Sequence, residues 1–420
     1  MKKIKFFMFI IIMLIGGIIL NTSCQNDVNP EEKSIIPSPD YKNFNTMADF
    51  NAVLDKMASI NDSLDRETRL KILWDSLKEN RQIPFIFDDS VTFLYRGSAN
   101  SVAWAGDFNG WDPATNGWQG QKISQSNIWR LSKSLPLDAR LDYKIVVNNN
   151  WMLDPSNPNQ QYSGFGPNSE LQMPSWAFPD ETNAHSDVNK GILSDNKLIS
   201  SNSENLNYDV RYKVYTPYNY AQLSSLPVIY VTDGHEYADS RLGAMINVLD
   251  NLIHDNTIEP VIAVFIDPRN PVNGNNRRMT EYRANIRFAN FVADELVEAI
   301  DSAYNTSHEP SRRAILGTSL GGWNSAYFGL ARSDKFNLIG IHSPAFDNEI
   351  IANYSSSPLL PLKVFMSTGT IHDTQIKART MRDVMQSKGY QILYKEVNEG
   401  HSWGNWRALI DETLILFFEK

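Results

Sequence analysis

The chain has 420 residues, of which 42% are hydrophobic and 21% charged, with a formal net charge of −9 and a single cysteine. Such a composition excludes a mostly disordered, collagen-like or membrane-embedded chain, and the acidic balance offers no basic footprint for nucleic acid. One cysteine can form neither an internal disulfide nor a cysteine-based zinc site, and the length suggests two or three domains.

The N-terminus has the pattern of an export signal. Lys2, Lys3 and Lys5 precede an apolar run from Phe6 to Leu20, followed by Asn21-Thr22-Ser23-Cys24. A basic segment and a run of about 15 apolar residues suit a signal better than a membrane span, which needs about 20. Thr22 and Ser23 ahead of Cys24 resemble a bacterial lipoprotein box. That resemblance implies removal of residues 1–23, acylation of Cys24, and a protein anchored by lipid to the bacterial outer membrane, outside the cytoplasm. The alternatives are a plain signal with a stray cysteine or a short uncleaved anchor. Processing would shift the net charge from −9 to −12, three lysines and no acid being lost.

Residues 24–45 are polar and interrupted by Pro30, Pro37 and Pro39, as expected of a tether. Residues 46–84 show helical spacing in Met47, Phe50, Val53, Leu54, Met57 and Ile60, then in Leu70, Leu73, Trp74 and Leu77. They predict one broken helix or two short ones packed on the next domain. Over 85–180 the pattern changes to short β-prone runs separated by turn clusters such as Asn109-Gly110, which predicts a small immunoglobulin-like β-sandwich. A polar stretch, 181–205, is expected to be a linker. From 206 to 420, apolar runs at 208–216, 227–232, 259–265, 312–317, 337–342, 361–367 and 390–397 alternate with helical patterns, the clearest running from Phe288 to Ile300. Strands of this kind predict an α/β fold with a doubly wound, mostly parallel sheet.

The strongest chemical signal is Gly317-Thr318-Ser319-Leu320-Gly321-Gly322, a G-x-S-x-G pattern directly after an apolar strand and before a helical segment. In that context the serine sits on a strained strand-to-helix turn above the sheet, as in an α/β hydrolase. A serine hydroxyl needs a base and a group that orients the base, and in this fold they follow in the order serine, acid, histidine. His401, just past the last predicted strand, is the candidate base, with His342 and His372 as rivals. His342 is also a candidate for lining the pocket. Asp373, after the penultimate strand, is the candidate acid, with Asp347 and Glu399 as rivals. The amide of Leu320 and one from Asp233-Gly234-His235, assigned to His235, are the candidate oxyanion donors.

With these residues in place, the C-terminal half resembles the esterase group of α/β hydrolases that includes carbohydrate esterase family one, esterase D and the enterochelin esterases. The likeness spans about 190–420 and rests on Val214-Tyr215-Thr216-Pro217-Tyr218, Val228-Ile229-Tyr230-Val231-Thr232-Asp233-Gly234, Arg278-Met279-Thr280-Glu281-Tyr282, the serine motif, and Gly400-His401-Ser402-Trp403 with Trp406-Arg407. It implies Ser319, Asp373 and His401 as a triad and places Arg278 and Trp403 at the substrate pocket. Residues 91–158 resemble a glycogen-binding type of sandwich, through Trp104-Ala105-Gly106-Asp107-Phe108-Asn109-Gly110-Trp111, Trp129, Tyr143-Lys144 and Trp151. That resemblance implies sugar contacts at Trp111, Lys144 and Trp151, or else a structural partner that helps shape the active site. The stretch from Leu73-Trp74 to Gly97 also resembles the N-terminal domain of enterochelin esterases.

The expected function is a serine carboxylic-ester hydrolase that removes acetyl or feruloyl groups from a plant polysaccharide such as xylan. The alternatives are a siderophore trilactone esterase and a catalytically inactive glycan-binding lipoprotein. No P-loop, dinucleotide fingerprint or metal-spaced histidines occur, so no cofactor is expected. The expected partners are the ester substrate and, through the lipid, a membrane.

Overall fold

The computed structural model describes residues 44–420. The expected signal, the acylation site Cys24 and all but the last two residues of the expected tether lie outside the described residues. Among the described residues, no helix is long and apolar enough to cross a membrane.

Two helices open the described chain, Met47–Ala58 and Ser63–Glu79. Each begins where a side-chain oxygen replaces a missing intrahelical acceptor. Thr46 accepts from the Asp49 amide at 3.0 Å, and Asp62 from the Asp65 amide at 2.7 Å. Phe50, Leu54, Leu70, Leu73 and Leu77 then pack against Phe85, Leu94 and Ile128 of the sheet that follows and against Ile123 beside it.

Nine strands come next: β1 (Phe85–Phe87), β2 (Ser90–Arg96), β3 (Val102–Gly106), β4 (Gln121–Lys122), β5 (Ile128–Ser134), β6 (Arg140–Val147), β7 (Asn150–Met152), β8 (Gln160–Ser163) and β9 (Gly166–Gln172). They form two antiparallel sheets, ordered β1-β2-β5-β4 and β3-β6-β9-β8, with β7 paired to β6. Phe93, Trp104, Phe108, Trp129, Leu141, Tyr143 and Ile145 form the core. Alternation along β6 sends Leu141, Tyr143 and Ile145 inward, so Arg140, Asp142, Lys144 and Val146 share the opposite face. That outer face carries the contact with the rest of the chain.

The second half contains β10 (Ile192–Leu193), β11 (Lys197–Ser200), β12 (Asp209–Thr216), β13 (Val228–Val231), β14 (Ile262–Asp267), β15 (Arg313–Thr318), β16 (Leu338–His342), β17 (Lys363–Gly369) and β18 (Gln391–Val397). They form one sheet in the order β10-β12-β14-β13-β15-β16-β17-β18, with β11 also on β12. From β14 to β18 every neighbouring pair is parallel, and β12 runs antiparallel to β14. Val228, Tyr230 and Ile315 bury one face of the sheet, while Ile229, Val231 and Leu316 bury the other. This is the expected α/β-hydrolase sheet, preceded by the expected sandwich.

Two local features differ from the sequence reading. The stretch 181–205 is no plain linker: its residues 192–193 and 197–200 pair antiparallel with β12. These edge strands are two and four residues long, too short for their apolar residues to show a period in the sequence. The helical segment from Ile286 to Ala303 is interrupted by a π-helical stretch over Phe291–Leu296.

Candidate active site

Ser319 stands at the C-terminal end of β15, between that strand and the helix Leu320–Ala331. Its φ of 59° with ψ of −117° is costly for a residue with a Cβ, and it persists because its surroundings impose it. The Ser319 amide donates to the His342 carbonyl at 2.9 Å, and its carbonyl accepts from the Ala345 and Trp323 amides at 3.0 and 3.1 Å. Glycine is required on either side of the turn. A Cβ on Gly317 would lie 2.4 Å from the Gly321 backbone, and one on Gly322 would lie 2.9 Å from the His342 carbonyl oxygen.

The loops after β17 and β18 bring two further groups to this point. His401 Nε2 lies 2.9 Å from Ser319 Oγ, and His401 Nδ1 lies 2.6 Å from Asp373 Oδ1. The histidine is exposed, whereas the Asp373 side chain is fully buried. Burial by itself raises the Asp373 carboxyl. The bonds from His401, the Ser343 hydroxyl and the Gly369 amide, both of these last at 2.6 Å, outweigh it and hold the carboxyl below its ordinary value. A charged acid on Nδ1 selects the tautomer that leaves Nε2 free to accept the serine proton. The Trp406 ring meets the imidazole edge-on with centroids 5.0 Å apart.

The rival groups have other duties. His342 is wholly buried, its Nε2 2.8 Å from Thr413 Oγ1, and burial pushes its pKa down to about 3. It is therefore a neutral core residue and does not line the pocket, although β16 ends there. His372 is exposed, with φ of 49°. Asp347 caps the helix Asn348–Ser356. Glu399 accepts from Trp176 Nε1 and faces Arg140.

Leu320 is the first residue of its helix, so its amide has no intrahelical acceptor and stands at the positive end of the helix dipole. His235 is the second residue of the short helix Gly234–Tyr237 that follows β13. Asp233 precedes it with φ of 52°, and the Asp233 amide donates to the Tyr282 hydroxyl at 2.9 Å. Arg278 holds this turn against the nucleophile elbow: Nε reaches Asp233 Oδ2 at 2.9 Å and Nη2 reaches the Thr318 carbonyl at 3.1 Å. The Arg278 charge is thus paired with Asp233, with its side chain partly exposed beside the elbow. Trp403 differs from expectation. It is 2% exposed, donates to Glu236 Oε2 at 2.8 Å and packs edge-on to Tyr237 and Trp406. Its large apolar ring is used in the core rather than in the pocket.

On the sandwich, Trp111 and Trp151 face each other, ring centroids 6.5 Å apart and 22° from parallel. Trp111 Nε1 donates to Asp107 at 3.0 Å, while Trp151 is 47% exposed. Trp151 pairs with Val146 on β6, so it shares the outer face with Lys144. Gly110, beside Trp111, packs against the His372 ring: a Cβ there would lie 3.5 Å from His372 Nδ1. The edge of the sandwich therefore meets the loop that carries Asp373. Ser343, Gly369 and Arg140, which contacts the His401 loop, carry no site signal in the sequence, and Trp406 enters there only as part of the family motif. The first two sit at the C-terminal ends of β16 and β17, a position that signals them once the strand order is known.

The chain matches the family model described as Putative esterase over residues 203–417. It is 26% identical over 236 residues to the uncharacterized protein YjcH of Bacillus subtilis (strain 168), covering 53% of this chain and 96% of that protein. The ferric enterobactin esterase of Salmonella typhimurium shares the fold with a TM-score of 0.65 at 19% identity, over 78% of this chain and 93% of that one. The enterobactin esterase FES of Shigella flexneri does so with a TM-score of 0.64 at 20% identity, over 78% and 92%. The shared fold covers more of the chain than the family model does, so it includes part of the N-terminal half. The chain belongs to the putative esterase family and is a carboxylic ester hydrolase.

Proposed function

We propose that the enzyme works through an acyl-serine intermediate and removes acetyl or feruloyl groups from a plant polysaccharide such as xylan. Ser319 Oγ attacks the ester carbonyl while His401 Nε2 takes its proton, and Asp373 stabilises the imidazolium. The Leu320 amide and that of His235 hold the developing oxyanion, where loss of one donor costs about 10²–10³ in turnover. The C–O bond to the alcohol then breaks as His401 returns the proton to the leaving oxygen. Water, deprotonated by the same histidine, adds to the acyl group and releases the acid, restoring the serine.

The polysaccharide reading rests on one observation. Trp111 and Trp151 face each other at the edge of the sandwich that meets the Asp373 loop, and Lys144 shares the outer face with Trp151, so a sugar chain entering the site can stack on the rings and bond to the ammonium. A second reading, a siderophore trilactone esterase, is favoured by the fold shared with the enterobactin esterases across both halves of the chain. Against it stands the pairing of Arg278 with Asp233, which removes a cation an anionic iron complex would use. A panel of acetylated xylan, methyl ferulate and a catecholate trilactone, run on wild type and Ser319→Ala, separates them. Hydrolysis of the trilactone alone would overturn the first reading.

The proposal also places the enzyme outside the cytoplasm on a lipid anchor at Cys24, on the strength of the basic, apolar and small-residue pattern before that cysteine. Cys24→Ala should move the protein from the membrane fraction to the soluble one; unchanged retention would refute the anchor.

A further inference from the structure

His401 sits on a short loop between β18 and the five-residue helix Trp403–Arg407, with an exposed side chain. Its imidazole must nonetheless be held to a fraction of an ångström over Ser319, because a misplacement of about 1 Å can cost about 10²-fold in rate. Asp373 fixes one end of the ring. The backbone of the loop is gripped from the sandwich.

That grip centres on Arg140, the first residue of β6. Its guanidinium is fully buried, with Nη1 donating to Ser402 Oγ at 3.0 Å. Nε donates to Glu170 at 2.6 Å and Nη2 to Asp142 at 2.5 Å, both from the sandwich. Glu399, on the loop itself, lies 3.8 Å away. The backbone joins as well, since the Arg140 amide donates to the Asn398 carbonyl at 3.3 Å. Steric contact closes the arrangement on both sides of the histidine. A Cβ on Gly404 would lie 1.9 Å from the Arg140 guanidinium, and one on Gly400 would lie 2.2 Å from Asp107 Cγ. Residues 398 to 404 are thus laid against one planar cation that is oriented by two sandwich carboxylates. A lysine could satisfy the charge, but not three acceptors in a fixed plane.

We infer that Arg140 is a positioning residue for the reaction: reaching across from the sandwich, it sets the loop that presents His401 to Ser319. This rests on the triad reading above. It gives the sandwich a role in turnover that is separate from any contact with substrate.

The test is a double-mutant cycle on Arg140→Lys and Ser402→Ala, with kcat and KM measured on a small soluble ester that does not reach the sandwich. Each single variant should lower kcat about tenfold or more while KM stays within about twofold, and the double variant should be no slower than Arg140→Lys alone. Arg140→Ala should regain turnover on addition of guanidinium ion, but not of sodium chloride at the same ionic strength. If Arg140→Ala does not fold, the Lys and Ser402 variants decide the matter, since both leave the buried volume nearly filled. Wild-type kcat in both single variants, or losses that fall wholly in KM, would overturn the inference. Ser319→Ala in the same assay separates the two levels. If it is inactive while Arg140→Lys is fully active, only the positioning role fails; if it remains active, the triad itself fails.

Discussion

Two buried carboxylate sites flank the loop that carries His401, and they hold their charge in opposite ways. Asp373 faces four donors, from His401, Ser343, Gly369 and Thr368, so hydrogen bonding overcomes burial and holds the carboxyl below its ordinary value. On the other side, Asp107, Asp142, Glu170 and Glu399 gather around Arg140. Burial and the neighbouring Asp142 push Asp107 up to about 8, despite bonds from the Asp142 amide and Trp111. Burial pushes Glu399 up to about 7 against the pull of Arg140. The number of donors and cations per carboxylate decides the outcome, not burial alone. An acid that stays charged can orient a histidine without taking its proton, whereas Asp107 and Glu399, raised to about 8 and about 7, make the junction pH-sensitive.

The most severe way to break this contrast is to remove the nucleophile. Ser319→Ala should lower kcat by about 10⁴–10⁶-fold with unaltered folding, as judged by circular dichroism. Asp373→Asn comes next. An amide no longer selects the reactive tautomer, and kcat on a small ester should fall by about 10⁴-fold.

The third test concerns the opposite cluster. A carboxyl raised from its ordinary value in the folded state binds a proton that the unfolded chain has already released, so folding is favoured at lower pH and that advantage is lost as pH rises. Wild type should therefore lose melting temperature as pH rises from the ordinary carboxylate range, the Glu399 part of the decline ending near pH 7 and the Asp107 part near 8, where each ionises in the folded chain. Glu399→Gln, which cannot ionise, should remove the earlier part of the decline; identical pH curves for the two proteins would contradict the assignment. The smallest effect is expected at Trp151. Its truncation to alanine should raise KM on acetylated xylan by roughly 2- to 10-fold and leave a small soluble ester unaffected.

Much of the catalytic half was legible before the structure. Val228, Ile229, Tyr230 and Val231 form a continuous apolar run because both faces of β13 are covered, and the strands around it read the same way. The fold's serine–acid–histidine order and the strand ends then pointed to the groups the structure brings within 2.9 Å of one another. Partnerships between distant residues were less visible. Arg140 and Ser402 are 262 positions apart and each looks like an ordinary polar residue in its own segment. Nor can sequence show that Glu236 and Asp233 occupy the polar ends of Trp403 and Arg278. An edge strand of four residues such as Lys197–Ser200 is too short to show a hydrophobic period.

In the proposed mechanism, Ser319 is activated by the His401–Asp373 pair. Incubation with a fluorophosphonate, followed by mass spectrometry of the digested protein, tests it most directly. One adduct should form per chain on the peptide containing Ser319, quickly in wild type, far more slowly in Asp373→Asn, and not at all in Ser319→Ala. A folded wild-type enzyme that hydrolyses esters while leaving Ser319 unmodified, or an adduct that persists in Ser319→Ala, would contradict the account.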